Sequence, residues 1–400
     1  MNPSVNLSID DKYDIMTRNL KEIIGGENIK EILQTKPFNI YWGTAPTGRI
    51  HIGYLVPFLK LADFLDAGCN IKILIADLHA YLDNMKSSLD QLEHRCIYYK
   101  NMISITLLSL GVNIDNLTFV QGTSYQLSKD YTMDMYKMNS MLTVNTAKRS
   151  GAEVVKHSDN PLMTGLLYPS LQALDEHYLD VHGELGGYDQ RKIFALAINH
   201  MPKMGYKKCI YFMNEMVPGL RFEKLKSNEQ SDDNSDDQLL INKIDNIMKN
   251  PQNIRHQLID MLNNSKHDDV DLFSNKMSSS NNDTKIDLLD EPNIIKAKIN
   301  KVYCLPNDDE DNSLMPLLEK IIFPVLFRKN IKYIVKRKEK FGGNLEYDNF
   351  QHLKNDYHIG ILHPADLKPS VMEYINMILN PIKIMFNKLK LNECLVKAYC

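Results

Sequence analysis

Two short apolar runs with a helical period between them, FNIYWG at 38–43 and IKILIAD at 71–77, constrain this chain more than any other feature. Each run has the length of a strand covered on both faces and is too short for a buried helix. Between them Leu55, Phe58, Leu59, Ala62 and Leu65 recur every three or four positions, which places them on one side of a helix that Gly68 ends. Strand, helix and strand in this order build parallel sheets, because the helix must carry the chain back across the sheet. An α/β fold follows.

The alternation continues. LTFVQ at 117–121 and CIYFM at 209–213 predict further strands, with helices near 130–148 and 169–182. From 221 to 275 the chain turns to Asn, Asp, Ser and Lys, with SNEQSDDNSDDQ at 227–238 and short periodic pieces only at 239–248 and 254–262. Such a stretch buries too little apolar surface to order itself, so it is expected to be a solvated, largely disordered insertion. Helical patterns return after Lys285. Three units result: 1–220 with 276–285, then 221–275, then 286–400.

An apolar fraction of 44% is enough for a sizeable core. Against 50 acidic residues stand 47 basic ones, so a nucleic-acid partner would need a local basic patch. The six cysteines, Cys69, Cys96, Cys209, Cys304, Cys394 and Cys400, lie far apart without a CxxC, and no structural zinc is expected. The polar, acid-bearing start MNPSVNLSIDDKYD has no signal-peptide core, and no apolar run approaches the ~20 residues a bilayer span needs. A cytoplasmic protein without a membrane partner is the expectation.

Where the first strand meets the first helix the chain reads GTAPTGRIHIG. Backbone N–H groups and the positive end of a helix dipole converge at such a turn, making it a natural anion site. Gly43, Gly48 and Gly53 let a ligand approach the main chain, and His51 can donate to a phosphate. Neither G-x-G-x-x-G nor a P-loop pattern fits. By itself the stretch fits a phosphate site or a helix capped by His51. KMSSS at 276–280 offers a lysine and three hydroxyls to a triphosphate, yet alone it reads equally as a polar loop.

Taken together, HIGY at 51–54 and KMSSS resemble the HIGH and KMSKS pair of class I aminoacyl-tRNA synthetases. IYWGTAPTGRIHIGY, ADLHAYLDN, GTSYQLSKDYT, LLYPSLQALDEHYL, GGYDQRKI, MVPGL and KFGGN resemble the tyrosyl-tRNA synthetases of eukaryotes and archaea, over almost the whole chain outside 221–275. The resemblance implies a Rossmann-like catalytic domain followed by a mainly α-helical anticodon-binding domain at 286–400, working as a homodimer on L-tyrosine, ATP and tRNA(Tyr). Mg²⁺ would arrive with the nucleotide, with no tightly bound cofactor. The extra C-terminal domain of some animal relatives is not expected.

Helical spacing puts Tyr168, Gln172 and Asp175 on one face, leaving Leu171, Leu174 and Tyr178 to the core. By similarity, Tyr168, Gln172 and Gln190 hold the tyrosine ammonium, Asp175 and Tyr41 take the phenolic hydroxyl, and His79 with Ala76, Tyr125 and Gln126 wall the ring. The alternative for Asp175 is an ion pair with Arg191 or Lys192. Gly43, Thr44, His51, Gly53, Lys276, Met277, Ser278, Ser279 and Ser280 would surround ATP, with Thr44, His51 and Lys276 catalytic. Ser279 replaces the second lysine of KMSKS, as is usual in this branch. Phe341, His363 and Asp366 would meet the anticodon, the basic run at 328–340 phosphates, and Arg191 and Lys192 the acceptor end. Tryptophanyl-tRNA synthetase and a catalytically silent RNA-binding paralogue are the alternatives.

Overall fold

The computed structural model describes residues 7–83, 88–154, 162–223, 276–277 and 282–399. Ser278, Ser279, Ser280 and residues 224–275 of the expected insertion lie outside them. The main sheet has six strands: β1 (Glu22–Ile24), β2 (Asn39–Thr44), β3 (Asn70–Ile75), β4 (Leu117–Gln121), β5 (Gly183–Gly187) and β6 (Ile210–Asn214). Their spatial order is β1-β6-β5-β2-β3-β4, parallel except for β1, which runs antiparallel on β6.

The chain steps outward from β2 through β3 to β4, then returns to the other side of β2 to lay down β5 and β6. Strand order therefore reverses between β2 and β5. A crevice opens beyond the carboxyl ends of strands at such a switch point, because the two crossovers leave on opposite faces. Every feature of the candidate site lies around it.

The first helix runs Leu55–Asp66 after a 3₁₀ turn at Ile52–Tyr54, with Phe58, Leu61, Ala62 and Leu65 buried. Gly68 ends it at φ +81°, a conformation that costs a side-chain residue energy, and the N–H of Cys69 closes back on Phe64 O at 2.9 Å. The expected strand at 71–77 stops at Ile75, since Asp77 opens the helix Asp77–Leu82. The Asp77 carboxylate accepts from the backbone N–H of Leu78 and Thr123 and from the Gln121 and Thr123 side chains. The helix expected near 130–148 is two, Lys129–Ser140 and Val144–Gly151, because Thr143 caps the second by accepting from Thr146 N.

The helix expected at 169–182 is Met163–Tyr178. Pro169 suits a first turn, but burial of Gly165, Leu166 and Tyr168 carries the helix through it, and Asp180 at φ 47° ends the return. Strand β5, GELGG, carries no apolar pattern and is held by its neighbours β2 and β6.

Beyond residue 285 come helices Pro292–Lys301, Phe323–Lys329, Phe350–His358, Pro364–Lys388 and Asn392–Tyr399, with a hairpin of β7 (Tyr333–Val335) and β8 (Leu345–Tyr347). One apolar cluster runs from Ile40, Trp42 and Phe58 through Leu317 and Ile322 to Leu367, Ile375 and Phe386. The change of composition near 285 is thus not a gap in the core. The helix Asn392–Tyr399 folds back on Leu89–Ser109: Arg95 Nε donates to Ala398 O at 2.8 Å, and the Tyr399 hydroxyl donates to Gly48 O at 2.9 Å.

Candidate active site

A cleft of about 640 Å³ opens at the switch point. Its floor is β2 and β5, its inner wall the helix Met163–Tyr178, and its outer rim the 44–53 turn with Lys276 and Met277. Tyr41, Thr44, His51, His79, Tyr168, Gln172, Asp175, Gln190 and Lys276, drawn from five separate stretches, all line it. Gly43, Gly53 and Met277 line it as well. Two motifs more than two hundred residues apart in sequence therefore share one cavity.

At the inner end Asp175 is fully buried. Its Oδ1 accepts from the Tyr125 hydroxyl (2.7 Å), Gln126 Nε2 (2.8 Å) and the Tyr131 hydroxyl (2.8 Å). Its Oδ2 has no hydrogen-bond partner among the described residues, and His79 Nε2 stands 3.8 Å away, itself without a partner. Burial pushes the carboxyl up to about 7 while the three donors pull it back. The alternative ion pair is not made: Arg191 binds Glu22 at 2.7 Å and Lys192 binds Glu153 at 2.6 Å. Burial also lowers His79 to about 4, so its ring is neutral where it meets Tyr168 edge-on at 4.7 Å between centroids. Tyr41, from the centre of β2, donates to Gln172 O at 3.5 Å.

At the outer end the turn is pinned from outside. Ile52 N donates to Ile286 O at 2.8 Å, Arg49 pairs with Asp287, its Nη2 donating to Oδ1 at 3.1 Å and its Nε 2.9 Å from Oδ2, and the Tyr99 hydroxyl donates to Gly48 O at 2.6 Å. His51 is buried, with Nδ1 unpartnered among the described residues. Burial first, and then the Lys285 ammonium, hold it down at about 3, so its ring is neutral. A Cβ on Gly53 would lie 3.0 Å from His51 Nδ1, so glycine here keeps the imidazole face open. Lys276 Nζ donates to Asp189 Oδ2 at 2.7 Å. An exposed Gly43 leaves bare strand backbone between the two ends.

The arrangement can hold a small molecule with a hydrogen-bond donor at the buried end and an anion at the turn. Sequence reasoning did not single out Tyr131, Glu184, Asp189, Arg95 or Asp287. Asp189 sits inside GGYDQRKI and Tyr131 inside GTSYQLSKDYT, which were the available signals; Glu184, Arg95 and Asp287 carry no local pattern.

In the second region Phe341 is 59% exposed and not core, with Lys340 Nζ 4.8 Å from its ring centroid. His363 caps the helix Pro364–Lys388 by accepting from Ala365 N, and Asp366 lies in its first turn. Much of the basic run is already paired: Arg328 forks onto Asp66, Lys336 binds Glu373, and Arg337 donates to Gly343 O.

The family described as tRNA synthetases class I (W and Y) matches residues 33–268 and 270–380. The cytoplasmic tyrosine–tRNA ligase of Xenopus laevis is 42% identical over 98% of this chain, which spans 64% of that relative's length. That of Saccharomyces cerevisiae is 39% identical over the whole chain and 90% of the relative. Among solved structures, tyrosyl-tRNA synthetase from Archaeoglobus fulgidus, complexed with L-tyrosine, is 31% identical with a TM-score of 0.74, covering 94% of this chain and 99% of its own.

Proposed function

Since the chain belongs to the class I tRNA synthetases of the tryptophan and tyrosine family, we propose that it is a tyrosine–tRNA ligase, which activates L-tyrosine with ATP and transfers it to tRNA(Tyr). One observation carries the choice of amino acid: the Asp175 Oδ2 at the inner end of the cleft, unpartnered among the described residues. A phenolic hydroxyl donates to it, and Tyr41 completes the contact. Phenylalanine leaves that oxygen buried and unpaired, which costs more than the lost contact itself. Discrimination of ~10⁵ without editing is a magnitude established for tyrosyl-tRNA synthetases as a class, not one derived from this chain. An indole N–H, set differently on its ring, would not meet both groups.

Tyr168, Gln172 and Gln190 hold the ammonium, which leaves the substrate carboxylate facing β2's end. One of its oxygens attacks the α-phosphorus of ATP, and the bond to the bridging oxygen breaks as pyrophosphate leaves. A terminal ribose hydroxyl of tRNA then attacks the adenylate carbonyl and AMP departs. No protein nucleophile takes part. Catalysis rests on orientation and on donors aimed where phosphate charge builds: Thr44 and the neutral His51 from the turn, Lys276 after exchanging Asp189 for a phosphate, with Mg²⁺ carried by the nucleotide. The serines at 278–280 would join Lys276.

Tyrosine-dependent exchange of pyrophosphate into ATP tests this function. Exchange supported by tryptophan in place of tyrosine reassigns the substrate, and none with any amino acid favours a silent paralogue. Gly53→Ala should raise the KM for ATP about tenfold, in line with ~1–3 kcal/mol for overpacking, while the KM for tyrosine holds. An unchanged ATP KM would show that the glycine is dispensable.

The tRNA lies along 286–400, with Phe341 as a stacking platform and His363 and Asp366 beside it; Arg191 and Lys192 reach the acceptor end by releasing Glu22 and Glu153. Phe341→Ala should cost ~1–3 kcal/mol in tRNA affinity and nothing in pyrophosphate exchange, as filter binding and exchange rates would report. Equal affinity would remove Phe341 from the interface. Leu127, Met133, Tyr136, Val144 and Met163, large apolar side chains exposed on successive segments, support a homodimer through the catalytic region. A monomer in sedimentation equilibrium would exclude it. The relatives' cytoplasmic names support that location, and among the described residues no helix is long and apolar enough to cross a membrane.

A further inference from the structure

Glu184 is a buried carboxyl group with no assigned task. It stands second in β5, in register with Tyr41 on β2 and Tyr211 on β6, and lines the inner cleft at 2% exposure. Its Oε1 accepts from Gln172 Nε2 at 2.9 Å, and its Oε2 has no partner among the described residues. Glu176, on the helix Met163–Tyr178, accepts from the Tyr211 hydroxyl at 2.9 and 3.0 Å. Among the described residues neither carboxyl has an ion-pair partner. The cleft's lysine, Lys276, is engaged by Asp189. A buried carboxylate without a cation is costly, and a site that keeps one open to its cavity suits a ligand that brings the charge.

Resting on the tyrosine function proposed above, the geometry points to Glu184 as a positioning residue for the substrate's ammonium. As an acceptor-only carboxylate it holds the Gln172 NH₂, turns Gln172 Oε1 toward the ammonium, and supplies the negative charge that the ammonium offsets. The same charge sets the substrate's direction. Repelled by Glu184 and Asp175, the amino-acid carboxylate faces outward to Thr44 and His51, where the α-phosphorus must lie.

The protonation state of Glu184 is linked to this contact. Burial, and next the Glu176 carboxyl, hold Glu184 well above the usual carboxylate range, with Asp175 adding repulsion and the Gln172 hydrogen bond and the neighbouring Tyr41 hydroxyl opposing. The titratable or polar groups facing it are Gln172, Glu176, Asp175 and Tyr168 from the helix, Tyr41 from β2, Cys209 just before β6 and Tyr211 within it. A protonated Glu184 donates to Gln172 Oε1 and turns the NH₂ into the cleft, the wrong face for an ammonium. Ammonium binding therefore drives Glu184 to ionise and release its proton.

Calorimetric titration of L-tyrosine, and of 3-(4-hydroxyphenyl)propionate, which lacks only the ammonium, tests this in the unchanged chain and in Glu184→Gln. Buffers of different ionisation enthalpy count the protons released. The variant should weaken L-tyrosine about tenfold, the worth of one charge-assisted contact, and leave the analogue unchanged or slightly tighter. It should also abolish the extra proton release that L-tyrosine shows over the analogue; Asp175 meets the phenol of both ligands, so its titration cancels. Equal losses for both ligands, or no loss for either, in a variant that melts as the unchanged chain does would overturn the role. A melt markedly lower in the variant at alkaline pH would make Glu184 structural and overturn it too. Failure of the unchanged chain to bind L-tyrosine would instead overturn the tyrosine function, a result distinct from any Glu184 outcome.

Discussion

Asp175→Asn should lower the preference for tyrosine over phenylalanine by about 10²- to 10³-fold, measured as the ratio of kcat/KM in pyrophosphate exchange, which corresponds to about 3–4 kcal/mol. The asparagine carbonyl keeps the place of Oδ1, where Tyr125, Gln126 and Tyr131 donate, so the inner wall stays intact. Its NH₂ takes the place of Oδ2 and presents a donor to the phenol, while phenylalanine no longer leaves a carboxylate unpaired. Asp175→Ala is the poorer test, because it orphans three buried donors and confounds specificity with folding. A folded Asp175→Asn that discriminates as well as the unchanged chain would remove Asp175 from recognition.

The same variant carries a pH signature. With its folded value at about 7, against 3.8 as the ordinary value, Asp175 binds more proton in the folded chain than in the unfolded one between those limits. Stability therefore falls as pH rises through that window, and Asp175→Asn should remove that part of the fall. Melting temperatures across the window would check it. Parallel curves for both proteins would mean that the carboxyl is ionised throughout.

His51→Ala should reduce kcat for tyrosine activation by about 10²- to 10³-fold, the effect of deleting one preorganised donor at a developing anion. The KM for tyrosine should not move, since the imidazole lies at the opposite end of the cleft from Asp175. Because burial holds the ring at about 3 in place of 6.5, His51 stays neutral through the working pH range, and the rate should show no inflection from it near 6.5. Stability behaves oppositely to the Asp175 case. The unfolded chain takes up the proton first, so the folded state loses stability as pH falls from about 6.5 toward 3, and His51→Ala should lose less there. A rate in His51→Ala within twofold of the original would show that the turn binds ATP through its backbone alone.

How far the site was legible depended on whether a residue's role was written in its own neighbourhood. Tyr168, Gln172 and Asp175 could be placed together because helical spacing projects them from one face, and all three reach the cleft. His51 and Gly53 were marked by their turn, between an apolar strand and an amphipathic helix. Lys276 was marked by its motif, but nothing around it foretold Asp189, which its ammonium meets across the cleft. Glu184 had no signal at all. A strand reading GELGG has neither alternation nor β-branched residues, and it becomes a strand only because β2 and β6 present their edges to it.

Sequence alone determined the α/β class, the strands β2, β3, β4 and β6, the polar excursion at 221–275 and the two motifs at 51–54 and 276–280, because each is an arrangement of neighbours within a few turns or pleats. The strand order, with its reversal between β2 and β5, was decided by tertiary structure. So were the continuous core across residue 285, the return of Asn392–Tyr399 onto the 44–51 turn, and the burial that leaves Asp175 and Glu184 each with an oxygen unpartnered among the described residues. Those depend on which distant surfaces exclude water together, and exclusion of water is a property of the packed pair that neither partner's sequence carries by itself.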